Sequence, residues 1–312
     1  MKALMLEDKR KLTLLDVEDP VASANSQLIS IKSTSIGGSE YLGFNNPGLR
    51  PLPSIMGHGF SGVTSVGKRV TVYPLSGCGQ CQFCLADKVQ LCDQWSLIGV
   101  QTEGGFAEKI AVPRDQLFDL PEDLTWEQSV FIEPFANAIN AWEISNATRN
   151  DSIAIIGAGS IGLGIVAHAQ LSESKYVHVA ELSSSRRNAA MMLGASHVAD
   201  KLTESYDIVF DTIGSLESRD QAISLSKKGG VCVFVGFETP NMNLNMSEII
   251  RHQKVLKGSF VYSKQQFSQA IELAKSCDNS WVKNVSFGEV EMTLSRFIEG
   301  DFSEIKIALR PD

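Results

Sequence analysis

The sequence predicts an α/β protein in two parts: a barrel-like region of short strands, and a doubly wound parallel sheet. Two observations lead there. Up to about residue 134, short apolar and β-branched runs alternate with Gly/Pro/Ser clusters, the texture of an antiparallel barrel. Beyond Glu133-Pro134, strand-length and helix-length patterns alternate, the signature of βαβ units around a parallel sheet. The chain has 312 residues, enough for two medium domains. Hydrophobic residues make up 43% and charged residues 21%, so a core of ordinary size can form without disulfides.

In chain order, the runs at 28–31, 70–73 and 106–112 read as strands of the barrel region. Helical spacing appears at 135–144 and 161–171, with the strand 152–156 between them. Strands at 176–180, 208–211 and 231–235 alternate with helices at 185–193 and 216–225. A segment at 255–262 reads as an edge strand, and the C-terminal piece offers a helix at 267–275 and a strand at 305–309. The sequence has no internal repeat and no long Pro/Gly linker.

The net charge of −8 argues against nucleic acid as a partner, because phosphate binding needs a basic surface. Met1 is followed by charged residues where a signal peptide needs its apolar stretch, and no run approaches a membrane span. A cytoplasmic protein without a membrane partner is expected. Its six cysteines are too few for a disulfide scaffold of this length, and four are crowded together. In a reducing compartment, such crowding points to metal.

Gly157-Ala158-Gly159-Ser160-Ile161-Gly162 is a GxGxxG loop that leaves an apolar strand and opens an apolar helix, the context that gives the motif meaning. Gly157 permits the tight turn, Gly159 lets backbone approach a pyrophosphate, and Gly162 allows close packing of helix on strand. The helix N-terminus, with Ser160 and Ile161, presents unpaired N–H groups to phosphates. The next strand ends at Glu181, placed to hydrogen-bond an adenosine ribose and to repel a 2′-phosphate, so NAD is favoured over NADP. Arg186 and Arg187 could soften that preference and otherwise read as a solvated helix start.

Cys78, Cys81, Cys84 and Cys92 are spaced to close a tetrahedral thiolate shell around zinc, leaving no position open for substrate. The site is therefore expected to be structural; an iron–sulfur cluster is the lesser alternative. Cys232, Cys277, His168, His178, His197 and His252 read as packing residues.

Taken together, these motifs resemble the zinc-containing medium-chain alcohol dehydrogenases, nearest the sorbitol and threonine dehydrogenase branch. The resemblance also runs through Gly57-His58-Gly59-Phe60-Ser61-Gly62, Gly104-Gly105-Phe106-Ala107-Glu108, Glu133-Pro134 and Gly229-Gly230-Val231. It implies a GroES-like catalytic barrel (1–135 and 263–312) interrupted by a Rossmann domain (136–262), and a dimer or tetramer paired through edge strands. It further implies hydride transfer between a nicotinamide and an alcohol or polyol, or the matching carbonyl, with the substrate oxygen polarised by a second, catalytic zinc.

By the same resemblance His58 and Glu133 match two ligands of that zinc, and Ser39 matches the hydroxyl that relays the substrate proton. The chain departs from the pattern in Ile36-Gly37-Gly38-Ser39-Glu40, where glycine replaces the cysteine ligand, and in Gly57-His58-Gly59, where the usual glutamate is missing. The stretch 62–70 is also short for the family. Glu40 matches an acid that orients the histidine, and could otherwise turn inward as a third ligand. One zinc per chain is the expectation, with the catalytic site incomplete. Two further readings fit the same residues. One is a zinc-independent reductase using Ser39, Tyr41 or His58 as proton donor; the other is a nicotinamide-binding protein without catalysis.

Overall fold

The computed structural model describes residues 1–311 and divides the chain at two points. Met1–Glu133 joins Ser263–Asp312 in one unit, and Pro134–Tyr262 forms the other.

The first unit is organised by one long strand, Ser26–Ile36, which pairs with three neighbours along its length. Its first half runs antiparallel to Lys109–Pro113, its middle to Phe60–Thr64, and its end to Lys306–Leu309. Alternating residues of the strand (Ile29, Ile31) are buried against Phe60, Val70 and Val112, which is why it tolerates polar residues between them. The registers Thr34↔Phe60 and Ile36↔Ile307 matter for function. They bring the residues after Ile36, those before Phe60 and those before Ile307 to one place, although they are scattered through the sequence.

The sheet departs from a purely antiparallel barrel at its C-terminal end, where Val282–Val285 and Lys306–Leu309 pair in parallel. A parallel pair needs a crossover, here supplied by the helix Val290–Ile298. The short stretch after Gly62 closes as a tight hairpin between Phe60–Thr64 and Arg69–Val72, with Gly67 N donating to Thr64 O at 2.9 Å. A smaller sheet of Lys2–Asp8, Lys11–Asp16 and Ser54–Ile55 completes the unit.

The second unit is a six-stranded parallel sheet. Its spatial order is His197–Ala199, Tyr176–Ala180, Ser152–Ile156, Tyr206–Asp211, Ser226–Phe234 and Val255–Gly258. The chain starts in the middle of the sheet and winds outward both ways, the doubly wound order. Ile153, Ala154 and Ile155 are all fully buried, as a central strand covered on both faces requires. The edge strand expected over 255–262 ends at Gly258, with Ser259 N still donating to Phe234 O of the neighbouring strand at 2.9 Å. Among the described residues no helix is long and apolar enough to cross a membrane.

Candidate active site and metal centre

The four cysteines lie in a loop that has little apolar content of its own. Their Sγ atoms all fall within 4.8 Å of one another, with Cys78 and Cys84 at 3.9 Å. A tetrahedral zinc with bonds near 2.3 Å sets sulfurs about 3.8 Å apart, so the cluster fits the ion. Backbone amides add to the case. Cys78 N and Gln94 N both donate to Cys92 Sγ at 3.4 Å, and Cys81 N donates to Cys78 Sγ at 3.3 Å. Amide donors from Gln80 and Cys81 lower the Cys78 thiol to about 6. Desolvation and its cysteine neighbours push Cys84 up to about 12. Four thiolates gathered this closely would need a cation among them, and zinc is the ion their spacing fits.

The histidine site is assembled from three segments of the first unit. Gly57 takes φ +95, a conformation open to glycine, and turns the chain so that His58 points inward. His58 is buried, 6% exposed. Its Nδ1 lies 2.5 Å from Glu40 Oε1, and its Nε2 lies 3.4 Å from Glu133 Oε1. Glu40 is positioned by its own helix, Gly38–Asn45. As the third residue of the first turn it reaches back to accept from Gly37 N at 3.0 Å, half of a capping box. Glu133 comes from the first turn of the helix Ile132–Ser145.

Burial opposes charge on all three side chains, yet their mutual attraction prevails. The two carboxylates raise His58 to about 10, and His58 in turn holds Glu40 and Glu133 below the usual carboxylate range. The arrangement thus favours an imidazolium held between two carboxylates. Ser39 stands exposed at the head of the same helix, where its carbonyl accepts from Arg50 Nη2 at 3.4 Å.

This arrangement offers a catalytic zinc two ligand atoms and no third. His58 Nε2 and Glu133 Oε1, 3.4 Å apart, are spaced as two ligands of one ion would be, whereas Glu40 addresses the opposite nitrogen of the ring. Among the described residues the four cysteines are the only group of three or more Cys, His, Asp or Glu whose ligand atoms converge. Gly37 offers no side chain, and Glu40, the alternative third ligand, is turned to the far side of the imidazole. The absent glutamate after His58 also has a steric reason: a Cβ at Gly59 would stand 2.9 Å from Glu133 Cβ.

In the second unit, Gly157 takes φ +94 at the end of the central strand, and Gly159 caps the helix Ser160–Leu171. A Cβ on Gly162 would lie 2.0 Å from Gly157 O, so only glycine lets the helix start this close to the strand. A Cβ on Gly159 would meet nothing within 4 Å, which leaves that backbone open to a phosphate. Ser160 and Ile161 form the helix's first turn. Glu181 accepts from Ala158 N and Ser183 N, both at 2.8 Å, tying the end of the second strand to the glycine loop. These residues fit a dinucleotide.

The two arginines are not the solvated helix start that the sequence suggests. Arg187 donates to Glu181 O at 2.7 Å and pairs with Asp200, while Arg186 is half-buried within the field of Glu181. Cys232 and Cys277 are buried, His178 lies 2.9 Å from Tyr206 Oη, and His168 packs its ring on Trp142. Sequence reasoning missed Lys306 and Arg50, whose charges both act on Glu40. The available signal for Lys306 was a lysine opening a strand expected to be buried.

A doubly wound sheet with a glycine loop, a four-thiolate metal centre and a carboxylate-held histidine define a zinc-type, nicotinamide-linked oxidoreductase fold. The chain belongs to the zinc-containing medium-chain alcohol dehydrogenase family. The family description "Zinc-binding dehydrogenase" matches residues 160–276, and "Alcohol dehydrogenase GroES-like domain" matches residues 23–122. L-threonine 3-dehydrogenase of Shewanella baltica strain OS155 is 28% identical, with 88% of each chain covered. A short chain alcohol dehydrogenase of E. coli CFT073, solved with NADH, is 26% identical with a TM-score of 0.88 over 99% of each chain. A protein of Sinorhizobium meliloti 1021, solved with NADP, is 25% identical with a TM-score of 0.90, again over 99% of each chain.

Proposed function

We propose that this protein transfers hydride between NAD(H) and a small alcohol or polyol and the matching carbonyl, without a catalytic zinc. The observation that carries the reading is the buried Glu40–His58–Glu133 chain, held in a family whose barrel domain does this chemistry. The nicotinamide, when bound, supplies or accepts the hydride, which no side chain can do. The protein's own task is the proton. His58, kept charged by two carboxylates, is a buried donor for the oxygen of a carbonyl undergoing reduction. In the alcohol direction the neutral imidazole takes that proton back. Ser39, exposed at the helix head, carries it to or from solvent.

Glu181 favours NAD. Each of its oxygens keeps a lone pair free beside the backbone donor, available to ribose hydroxyls, while its charge repels a 2′-phosphate. Relatives with NADH and with NADP both exist, so the preference belongs to this chain's own acid. The edge strand Val255–Gly258, whose Val255 is exposed, is the proposed pairing surface of a dimer or tetramer in the cytoplasm, checked by light scattering on the purified protein.

The deciding experiment is a screen of alcohols, polyols and carbonyls with NAD(H) and NADP(H), repeated with His58→Ala. Turnover that prefers NAD(H) and falls at least 100-fold in the variant supports the proposal. Turnover that survives the substitution removes His58 from the chemistry. NADH binding with no turnover on any substrate would instead favour a binding protein.

A further inference from the structure

Arg50 stands apart from the other half-buried arginines of the barrel unit. Arg69, Arg296 and Arg310 each have a carboxylate oxygen within 3.4 Å, from Glu122, Asp301 and Glu127. Arg50 forms no ion pair among the described residues. Glu40, whose charge acts on it, has both oxygens engaged elsewhere: Oε1 lies 2.5 Å from His58 Nδ1, and Oε2 accepts from Gly37 N at 3.0 Å.

The guanidinium is nonetheless built into place. Its Nε donates to Gly99 O at 3.1 Å and its Nη2 to Ser39 O at 3.4 Å, so two carbonyls fix the plane of the fork. It lies on Gly43, inside the helix Gly38–Asn45. A Cβ on Gly43 would stand 2.8 Å from Nη2 and closer still to Nη1 and Cζ. Glycine weakens a helix interior relative to alanine, and here it makes the bed of the arginine. The outer end of the fork is left over, for Nη1 has no acceptor among the described residues. A half-buried cation held by carbonyls alone, with donors to spare, lacks an anion. The free end of a guanidinium matches the paired oxygens of a carboxylate or a phosphate. Its place matters as well: Nη2 binds the carbonyl of Ser39, the exposed residue that exchanges the substrate proton in the reading above.

We propose that Arg50 receives an oxyanion, carboxylate or phosphate, carried by the substrate itself. The alcohol or carbonyl compound turned over here has a negatively charged end.

That the anion belongs to the substrate rests on the function proposed above. That an anion binds at Arg50 does not, so binding is measured apart from turnover. The full-length protein, saturated with NADH so that the glycine loop is filled, is titrated calorimetrically with inorganic phosphate and, separately, with sodium acetate. The expected result is saturable binding of one of them, weakened at least ~10-fold in Arg50→Met and in Gly43→Ala, with NADH affinity retained. Binding of neither anion to the wild type, or equal binding in wild type and Arg50→Met, overturns the proposal. So does loss of NADH affinity in Arg50→Met, which would give the arginine to the cofactor. Turnover is then compared for 3-hydroxybutyrate against 2-butanol and for glycerol 3-phosphate against glycerol. Selectivity for the charged member of one pair should fall at least ~10-fold in Arg50→Met, and the pair that responds tells carboxylate from phosphate. Preference for the neutral member of both pairs refutes the charged substrate. Anion binding at Arg50 without turnover of any alcohol leaves the site standing and refutes the function. Should Arg50→Met fail to fold, Gly43→Ala, which keeps the arginine and only displaces it, decides the same point.

Discussion

Replacing Gly59 with alanine should push Glu133 away from His58 while leaving both residues unchanged. The backbone at Gly59 does not have the positive φ that would itself penalise alanine. The penalty comes from space. The new Cβ would stand 2.9 Å from Glu133 Cβ, 3.3 Å from Glu133 Cγ and 3.3 Å from Ser35 Cβ. Glu133 is anchored in a helix at its Cβ, so the contact cannot be relieved by swinging a flexible tip. A retreat of ~0.8 Å would restore ordinary contact. At an effective dielectric of about 20, a charge pair at the present 3.4 Å is worth about 5 kcal/mol gross, and at roughly 4.2 Å about 4 kcal/mol. The ion pair therefore loses about 1 kcal/mol, to which overpacking adds ~1–3 kcal/mol. Urea denaturation should show Gly59→Ala destabilised by ~2–4 kcal/mol with an unchanged m-value. The reasoning is specific about the partner. In a Glu133→Gly background, where Cβ and Cγ are gone, the same substitution should be milder by at least ~1 kcal/mol. Equal losses in the two backgrounds, within ~0.5 kcal/mol, would refute it.

Three further outcomes are expected. Cys92→Ser should abolish the zinc held by the cysteine loop, seen by metal analysis, and lower the melting temperature by ~5–10 °C; a variant that keeps its zinc would count against the four-thiolate centre. The loop glycines should split. Gly159→Val should melt within ~2 °C of wild type yet bind NADH at least ~10-fold more weakly by fluorescence titration, whereas Gly162→Ala should lose ~2–3 kcal/mol of stability from its collision with Gly157 O; normal NADH affinity in Gly159→Val would contradict the assignment. Asp207 is half-exposed and, against a desolvation that raises it, is brought down to about 2 by Lys227 and Ser152. A lowered carboxylate gives stability that is present above its unfolded pKa near 4 and lost as pH falls toward 2. Asp207→Asn should therefore be ~1 kcal/mol less stable than wild type at pH 7, after allowance for solvent screening, with the gap closing between pH 4 and pH 2.

How much of this was legible in the sequence follows from how local each signal is. Ser152–Ile156, Tyr176–Ala180 and Leu216–Leu225 lie where periodicity puts them, because a doubly wound sheet is built from near neighbours with sharp contrasts of pattern. The cysteine cluster was legible for the same reason, all its ligands lying in one loop. The barrel unit was harder. Ser26–Ile36 reads as a strand only over 28–31, because the residues beyond are Lys32, Ser33, Thr34 and Ser35. What makes them a strand is a set of partners drawn from both ends of the chain, which no local pattern records. The helix Val290–Ile298 and the strand Val282–Val285 were not anticipated at all. The histidine site shares that difficulty. His58, Glu133 and Ser39 could be named through family motifs, but Lys306 comes beside Gly37 only through the register of two strands separated by most of the sequence.

The two departures from the family pattern bear on the same cluster. Gly37 offers no side chain, and among the described residues no third Cys, His, Asp or Glu atom converges with His58 Nε2 and Glu133 Oε1, which lie 3.4 Å apart. Gly59 leaves room for Glu133, whose Cβ a Cβ at position 59 would meet at 2.9 Å. A buried histidine is left with one carboxylate at each ring nitrogen, and the attraction among the three opposes the burial that disfavours their charges.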